Sequence, residues 1–150
     1  MIDLKNKKYI ILELIPTKIE NGDIAQLQAL KIDGIKLEDR FDYRLDKEKI
    51  IIPDILNMLN YDNESFKYVK QTKTIINNFK KFIGDLPLLI IDNVYTNNYL
   101  KDITNEKVSI FKYFNIEVTD NCFDELIKKY DLEPSNHLVD LLYEALIKEL

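Results

Sequence analysis

The stretch Lys8 to Ile15, KYIILELI, decides the fold, and one acid, Glu13, interrupts its apolar residues. Such an apolar and β-branched run has no polar face, which is typical of a strand buried on both sides in the middle of a sheet. A carboxylate near the end of this strand needs solvent, an ionic partner or a metal ion, because an unpaired buried charge is expensive. The sequence leaves these three alternatives open and makes Glu13 the first candidate functional residue.

The residues that follow predict two more strands. Ile24 to Ile32 has strand character, and Asp33-Gly34 predicts a two-residue hairpin turn because both positions tolerate positive φ. From Ile35 to Leu45, apolar and charged residues mostly alternate, which predicts a third strand with one solvent-exposed face. The three strands are expected to form an antiparallel meander.

The remainder of the chain alternates helices with short strands. Helical spacing covers Gln71 to Ile83, with Gly84 as a stop, and the wholly apolar Pro87 to Ile91 predicts a strand. A helix crosses between this strand and the first one, so the two are expected to be parallel. Val108 to Tyr113 is ambiguous between strand and helix, and the other predicted helices are Asp54 to Leu59, Val94 to Ile103, Asp120 to Tyr130 and His137 to Leu150.

Length and composition indicate one domain over residues 1–150, with a single sizeable core. The net charge of −5 argues against nucleic-acid binding by bulk electrostatics. Cys122 is the only cysteine, which excludes an intrachain disulfide and a four-thiol zinc site, and we expect it to be a semi-buried core residue. No signal peptide or apolar run of about 20 residues is present, so we predict a cytoplasmic protein without a membrane partner.

Five strings, in order, resemble motifs of the DnaQ-like (DEDDh-type) 3′→5′ exonucleases, the proofreading type related to the epsilon subunit of bacterial DNA polymerase III. They span nearly the whole chain: KYIILELIPT, the NGD turn, IIPDILNMLNYDNESF, INNFKKFIGDLPLLIIDNVYTNNYL and FDELIKKYDLEPSNHLVDLLYEAL. The resemblance implies an α/β, RNase H-like fold. Its mixed sheet would have about five strands, including the antiparallel three-strand meander, with helices on both faces.

The resemblance also implies a set of site positions. The family's chemistry uses two divalent cations about 4 Å apart, held by carboxylates, and a histidine as general base. By position, Glu13 matches the first metal-binding acid, Asp92 stands at the motif's histidine and could hold a cation with Glu13, and His137 matches the base. Three positions where the family has acids carry other residues: Ile15, Asn97 and Leu142.

Neighbouring residues do not restore the missing acid near His137. Shifting the motif by one residue places Asn136 at the base and Leu141 at the acid. Asp140 and Glu144 are each two residues from Leu142, and on a helix they point about 200° away from it. Because its partner acids are missing, the sequence favours a surface or capping role for His137, at the start of the last helix, over a role as the base.

Three hypotheses follow. The first is a degenerate exonuclease-fold domain without two-metal nuclease activity, which needs no cofactor and binds nucleic acid or protein. The second is a divergent 3′→5′ exonuclease that acts on single-stranded DNA or RNA ends with Mg²⁺ or Mn²⁺, through Glu13, Asp92 and His137. The third is an unrelated interaction domain that shares only the α/β layout. The expected partners are single-stranded nucleic acid or a replication or repair protein, and no oligomeric state is predicted.

Overall fold

A computed structural model of the chain describes residues 2–16, 24–44, 72–135 and 138–150. The predicted helix from Asp54 to Leu59 and the candidate base His137 lie outside the described residues. In chain order the strands are β1 (Lys8–Pro16), β2 (Ile24–Asp33), β3 (Lys36–Arg44), β4 (Leu88–Ile90) and β5 (Lys107–Ser109). The α-helices are α1 (Thr72–Ile83), α2 (Val94–Leu100), α3 (Phe111–Phe114), α4 (Cys122–Tyr130) and α5 (Leu138–Glu149), and a 3₁₀ turn (Leu4–Asn6) precedes β1.

The five described strands form one mixed sheet in the order β3-β2-β1-β4-β5. Strands β1, β2 and β3 pair antiparallel, while β4 is parallel to β1 and β5 is parallel to β4. The α/β class, the antiparallel meander and the parallel late strand are therefore confirmed.

Strand β1 is the central strand, as its composition predicts. Its apolar side chains from Tyr9 to Ile15 are at most 1% exposed, because the sheet continues on both edges and helices cover both faces. Alternate side chains of β1 belong to two separate hydrophobic cores. The buried central strand is confirmed, and its one acid lies inside the folded domain.

Each face of the sheet has its own core. On one face, β1 packs against α3, α4 and α5, and the core includes Tyr9, Ile11 and Ile15. On the other face, Ile10, Leu12 and Leu14 pack with α1 and α2. Helices therefore cover both faces, as the resemblance implies.

The hairpin between β2 and β3 turns one residue later than the sequence predicts. Asp33 pairs with Lys36, so the two turn residues are Gly34 and Ile35. Gly34 has φ +66°, and a Cβ there would lie 2.5 Å from the carbonyl oxygen of Lys5. Glycine is thus required by the close approach of the 3₁₀ turn as well as by its backbone angle.

A bulge interrupts the alternation predicted for β3. Two successive residue pairs define it: Ile32 with Leu37, and Lys31 with Asp39. Glu38 is therefore an extra residue in β3. The side chains after it point to the face of the sheet opposite to the one that strict alternation would give them. As a result Leu37 packs against the core of α5, whereas Phe41 belongs to the core of α1 on the opposite face.

The ambiguous segment from Val108 to Tyr113 contains both structures, because β5 ends at Ser109 and α3 begins at Phe111. Helix α2 is shorter than predicted and ends at Leu100. Of the helices that the structure describes, none combines the length and the apolar character needed to cross a membrane.

Candidate functional site

Glu13 lies on the face of β1 that packs against α5, between Ile11 and Ile15. Its side chain is only 3% exposed, which rules out a solvated position at the end of the strand. Burial raises the pKa of Glu13 from its ordinary value of 4.5 to about 8. None of the described basic side chains offsets this effect, so the alternative of an ionic partner is not observed among the described residues.

Asp92 and Asn97 lie together at the start of α2, just after β4. Asn93 caps this helix, with its side-chain oxygen accepting a hydrogen bond from the Thr96 backbone N–H at 2.9 Å. The Asn97 Nδ2 donates a hydrogen bond to the Asp92 Oδ1 at 2.8 Å. The amide at an expected acid position thus uses its hydrogen-bonding capacity on the neighbouring carboxylate.

A cavity of about 400 Å³ opens beside these residues, between the carboxyl ends of β1 and β4 and the start of α4. We call it the Glu13 cavity and define it by four acids and two aromatic residues of its lining: Glu13, Asp92, Asp120, Asp124, Tyr95 and Phe123. Three of these acids are exposed while Glu13 is buried, so Glu13 forms the inner wall and the others surround the mouth. The predicted proximity of Glu13 and Asp92 is therefore observed.

Two further titratable groups of the cavity lie close to Glu13. Burial raises the pKa of the Tyr95 phenol above its ordinary value, and the charge of Glu13 adds a smaller increase. A hydrogen bond with the Asn93 side chain lowers this pKa but does not cancel the increase. Burial also raises the pKa of the Cys122 thiol, and Glu13 adds to that effect. Cys122 is 5% exposed and has the core position expected of it, and neither group is activated as a nucleophile.

Hydrocarbon occupies two of the three positions where the resemblance expects acids. Ile15 and Leu142 are both 0% exposed and belong to the same hydrophobic core, which α5 forms with β1. No group of three or more histidine, cysteine, aspartate or glutamate side chains in the described ranges is arranged to hold a metal ion. The described side chains therefore do not fit a pair of metal ions.

The neighbouring acids of α5 do not point toward Glu13. Asp140 pairs with Arg40 on β3, with Oδ1 and Nη2 2.6 Å apart, and Glu144 is exposed. This agrees with the helical geometry expected from the sequence. His137 lies outside the described residues, so its role as a base stays a prediction.

Sequence reasoning missed a buried polar row beside Glu13. Gln28 lies directly opposite Glu13 across the β1 and β2 pair, and Gln26 lies opposite Ile15. Both glutamines are 1% exposed, and their Oε1 atoms have no hydrogen-bond donor among the residues that the structure describes. The signal was present as two glutamines at period-2 spacing in a strand predicted to lie beside β1, whose only polar side chain between Tyr9 and Ile15 is Glu13.

Sequence reasoning also missed Asp120, Asp124 and Tyr95 as cavity residues. Asp120 and Asp124 flank the first residues of α4, and Tyr95 lies in α2. Nothing in their local sequence distinguishes them from ordinary helix-start and core residues. The packing of α4 on α5 brings Asp120 and Asp124 to the cavity, and the packing of α2 on β1 brings Tyr95 there.

The sheet and its helices form the RNase H-like fold of the DnaQ-like exonucleases, because solved structures of such nucleases match nearly the whole chain. This confirms the fold that the ordered motifs predict. By sequence, no protein-family model and no curated protein matches the chain.

Three of these solved structures illustrate the match. Exonuclease X in complex with 5′ overhanging duplex DNA has a TM-score of 0.67 at 11% identity, over 94% of this chain and 90% of that one. E. coli ExoI in a complex with single-stranded DNA has a TM-score of 0.66 at 12% identity, over 97% of this chain but 40% of that one. A 3′-exonuclease that recognises the histone mRNA stem-loop has a TM-score of 0.59 at 13% identity, over 96% of this chain and 80% of that one. At these identities the likeness concerns the fold, and function is argued from the residues.

Proposed function

We propose that this chain is an exonuclease-fold domain that lacks two-metal nuclease activity and acts as a binding module for nucleic acid or protein. The burial of Ile15 and Leu142 in one hydrophobic core carries the proposal. Two-metal cleavage needs several oxygen ligands that converge on the same point, and these two side chains offer none. Fold similarity by itself does not establish the activity of the site.

The state of the remaining motif residues supports the same conclusion. Glu13 is buried without a described cationic partner, and Asp92 accepts a hydrogen bond from Asn97. Replacing acids by apolar or amide residues removes the repulsion between like charges that a bound cation otherwise neutralises. The fold is then expected to be stable without metal.

The alternative is a divergent 3′→5′ exonuclease that uses one Mg²⁺ or Mn²⁺ with Glu13, Asp92 and His137. One observation favours it, namely that Glu13 and Asp92 line the same cavity. Such an enzyme would act on single-stranded DNA or RNA ends and would depend strictly on the buried acid.

The test combines calorimetric titration of Mn²⁺ and Mg²⁺ with an assay on single-stranded DNA and RNA labelled at the 3′ end. We expect no saturable metal binding, no release of the label, and a melting temperature that changes by less than about 1 °C between EDTA and Mn²⁺. Label release that is lost in Glu13→Ala and retained in Glu144→Ala would contradict the proposal and support the exonuclease. Glu144 is the matched control because it is an exposed acid of α5 outside the cavity.

A further inference from the structure

The Glu13 cavity combines a large volume with an unbalanced charge. Its volume of about 400 Å³ lies within the range of small-ligand and side-chain pockets. Four carboxyl groups line it, and no lysine, arginine or histidine of the described ranges does so. Without metal ions to bridge them, such a lining repels phosphate groups and attracts cations.

Glu13 provides a second observation that is independent of the acidic rim. It is 97% buried, since only 3% of its side chain is exposed, yet it contributes to the wall of the cavity. No hydrogen-bond donor of the described residues reaches its carboxyl group. Buried carboxyl groups are normally paired or hydrogen-bonded, so among the described residues Glu13 lacks the partner that its burial calls for.

We propose that the Glu13 cavity binds the guanidinium group of an arginine side chain from a protein partner. This inference rests on the proposed function, because it requires that metal ions do not occupy the same acids. It also selects protein over nucleic acid as the partner of the binding module. The arginine would enter between the exposed acids and direct its donors at Glu13. Burial keeps the Glu13 carboxyl group protonated near neutral pH in the free protein, so it would release its proton when the guanidinium group binds.

A guanidinium group suits the cavity better than an ammonium group for two reasons. Its planar array of five N–H donors can bond a carboxylate in bidentate fashion, and it is more weakly hydrated, so it is more easily buried. It also stacks on aromatic rings, and both Tyr95 and Phe123 line the cavity. The Phe123 ring is held in place by an edge-to-face contact with Phe111, at 5.6 Å between centroids and 87° between planes.

The experiment uses the full chain and three capped amino acids as probes: N-acetyl-arginine amide, N-acetyl-lysine amide and N-acetyl-citrulline amide. Citrulline has the shape of arginine but no charge. Binding is followed by NMR at low ionic strength, through the backbone amide shifts of Glu13, Tyr95 and Phe123. We expect saturable shifts with the arginine probe, at least fivefold weaker binding of the lysine probe, and none of the citrulline probe.

Variants test whether the acids are responsible. Glu13→Gln keeps the size of the side chain, and we expect it to weaken binding of the arginine probe at least tenfold. The double variant Asp92→Asn with Asp124→Asn changes only exposed acids, so it keeps the test valid if Glu13→Gln does not fold. It should weaken binding about threefold or more, whereas Glu144→Gln should have no effect.

Two results would overturn the inference: equal binding of the arginine and citrulline probes, or undiminished binding of arginine after removal of the cavity acids. A pentapeptide, Gly-Gly-Arg-Gly-Gly, tests the source of the group. Peptide binding at least as tight as binding of the capped arginine supports a polypeptide partner. Loss of binding in the peptide would overturn the proposal that the arginine comes from a protein.

Failure of this inference is distinguishable from failure of the proposed function. If Mn²⁺ binds in the cavity and the 3′ label is released, the proposed function fails and the arginine site fails with it. If neither metal nor the arginine probe binds, only the arginine site is wrong.

Discussion

Glu13 is a carboxyl group buried in a hydrophobic core, and its titration is expected to make the stability of the fold depend on pH. The pKa of Glu13 is about 8 in the folded chain and close to 4.5 when exposed in the unfolded chain. Below pH 4.5 both states hold the proton and the fold has its full stability. Between pH 4.5 and 8 the unfolded state releases a proton that the folded state retains, so the free energy of unfolding falls as pH rises.

This gives the first prediction, which urea denaturation at a series of pH values from 5 to 9 will check. The free energy of unfolding should decrease by a few kcal/mol over that range and level off above pH 8. Glu13→Gln cannot ionise and should remove most of the decrease. Identical pH profiles for the two proteins would show that Glu13 is not the group responsible.

Asn97 offers a second prediction about a single side chain. Asn97→Asp replaces the amide that donates to Asp92 by a carboxylate, which places two like charges within hydrogen-bond distance. Both residues are exposed, so the expected loss is at most about 1 kcal/mol and should shrink at high salt.

Asn98→Asp is the matched control for this change. Asn98 is also exposed and lies in the same helix, so a new acid there interacts similarly with the helix dipole but lacks the contact with Asp92. The difference in unfolding free energy between the two variants therefore measures the lost hydrogen bond together with the repulsion. Equal stability in low salt would contradict the assigned hydrogen bond.

Helix α5 carries an apolar face at the position where the resemblance places a metal-binding acid. Leu138, Leu142 and Leu146 are at most 4% exposed and pack toward β1, while Ile147 is 37% exposed. The helix therefore contributes to the core at the position where the resemblance places an acid.

The third prediction restores that acid. Leu142→Asp places an unpaired carboxylate in the core and removes most of a buried side chain, so it should destabilise the fold by about 4 kcal/mol or more. Ile147→Asp makes the same replacement on the exposed side of α5 and should lose about 1 kcal/mol or less. Thermal denaturation of both variants, with and without Mn²⁺, provides the measurement. Rescue of Leu142→Asp by Mn²⁺ would mean that a metal site persists.

The domain as a whole has two cores that share one sheet, and β1 belongs to both. Phe79 of α1 and Phe114 of α3 are each 0% exposed and lie on opposite faces. The apolar residues of β1 from Tyr9 to Ile15 each belong to one core or the other. Neither core is therefore expected to persist when the strands of the sheet separate.

The fourth prediction follows from this shared strand. Phe79→Ala and Phe114→Ala should each lower the free energy of unfolding by about 3–5 kcal/mol, and each should move one common transition. Far-ultraviolet circular dichroism and tyrosine fluorescence should report the same midpoint in both variants. Two separate transitions would contradict the prediction that residues 1–150 form a single domain.

Local sequence patterns were sufficient for most of the architecture. The uninterrupted apolar run of β1 requires burial on both sides, and the helical spacing of α1 and α5 requires one buried face each, whatever the partners are. The absence of acids at Ile15 and Leu142 could likewise be identified in the sequence alone, because side-chain chemistry does not depend on the fold.

The details that depend on distant contacts were not predictable in this way. The turn at Gly34 and the bulge at Glu38 follow from how β2 and β3 align, and cross-strand packing sets that alignment. For Glu13 the sequence offered solvent, an ion pair or a metal, and only the packing of α5 against β1 excluded solvent. Asp120 and Asp124 line the same cavity as Glu13, more than 100 residues away along the chain, because α4 packs on α5 and α5 packs on β1. Burial and charge at this site are properties of the assembled sheet and helices, so no local pattern could specify them.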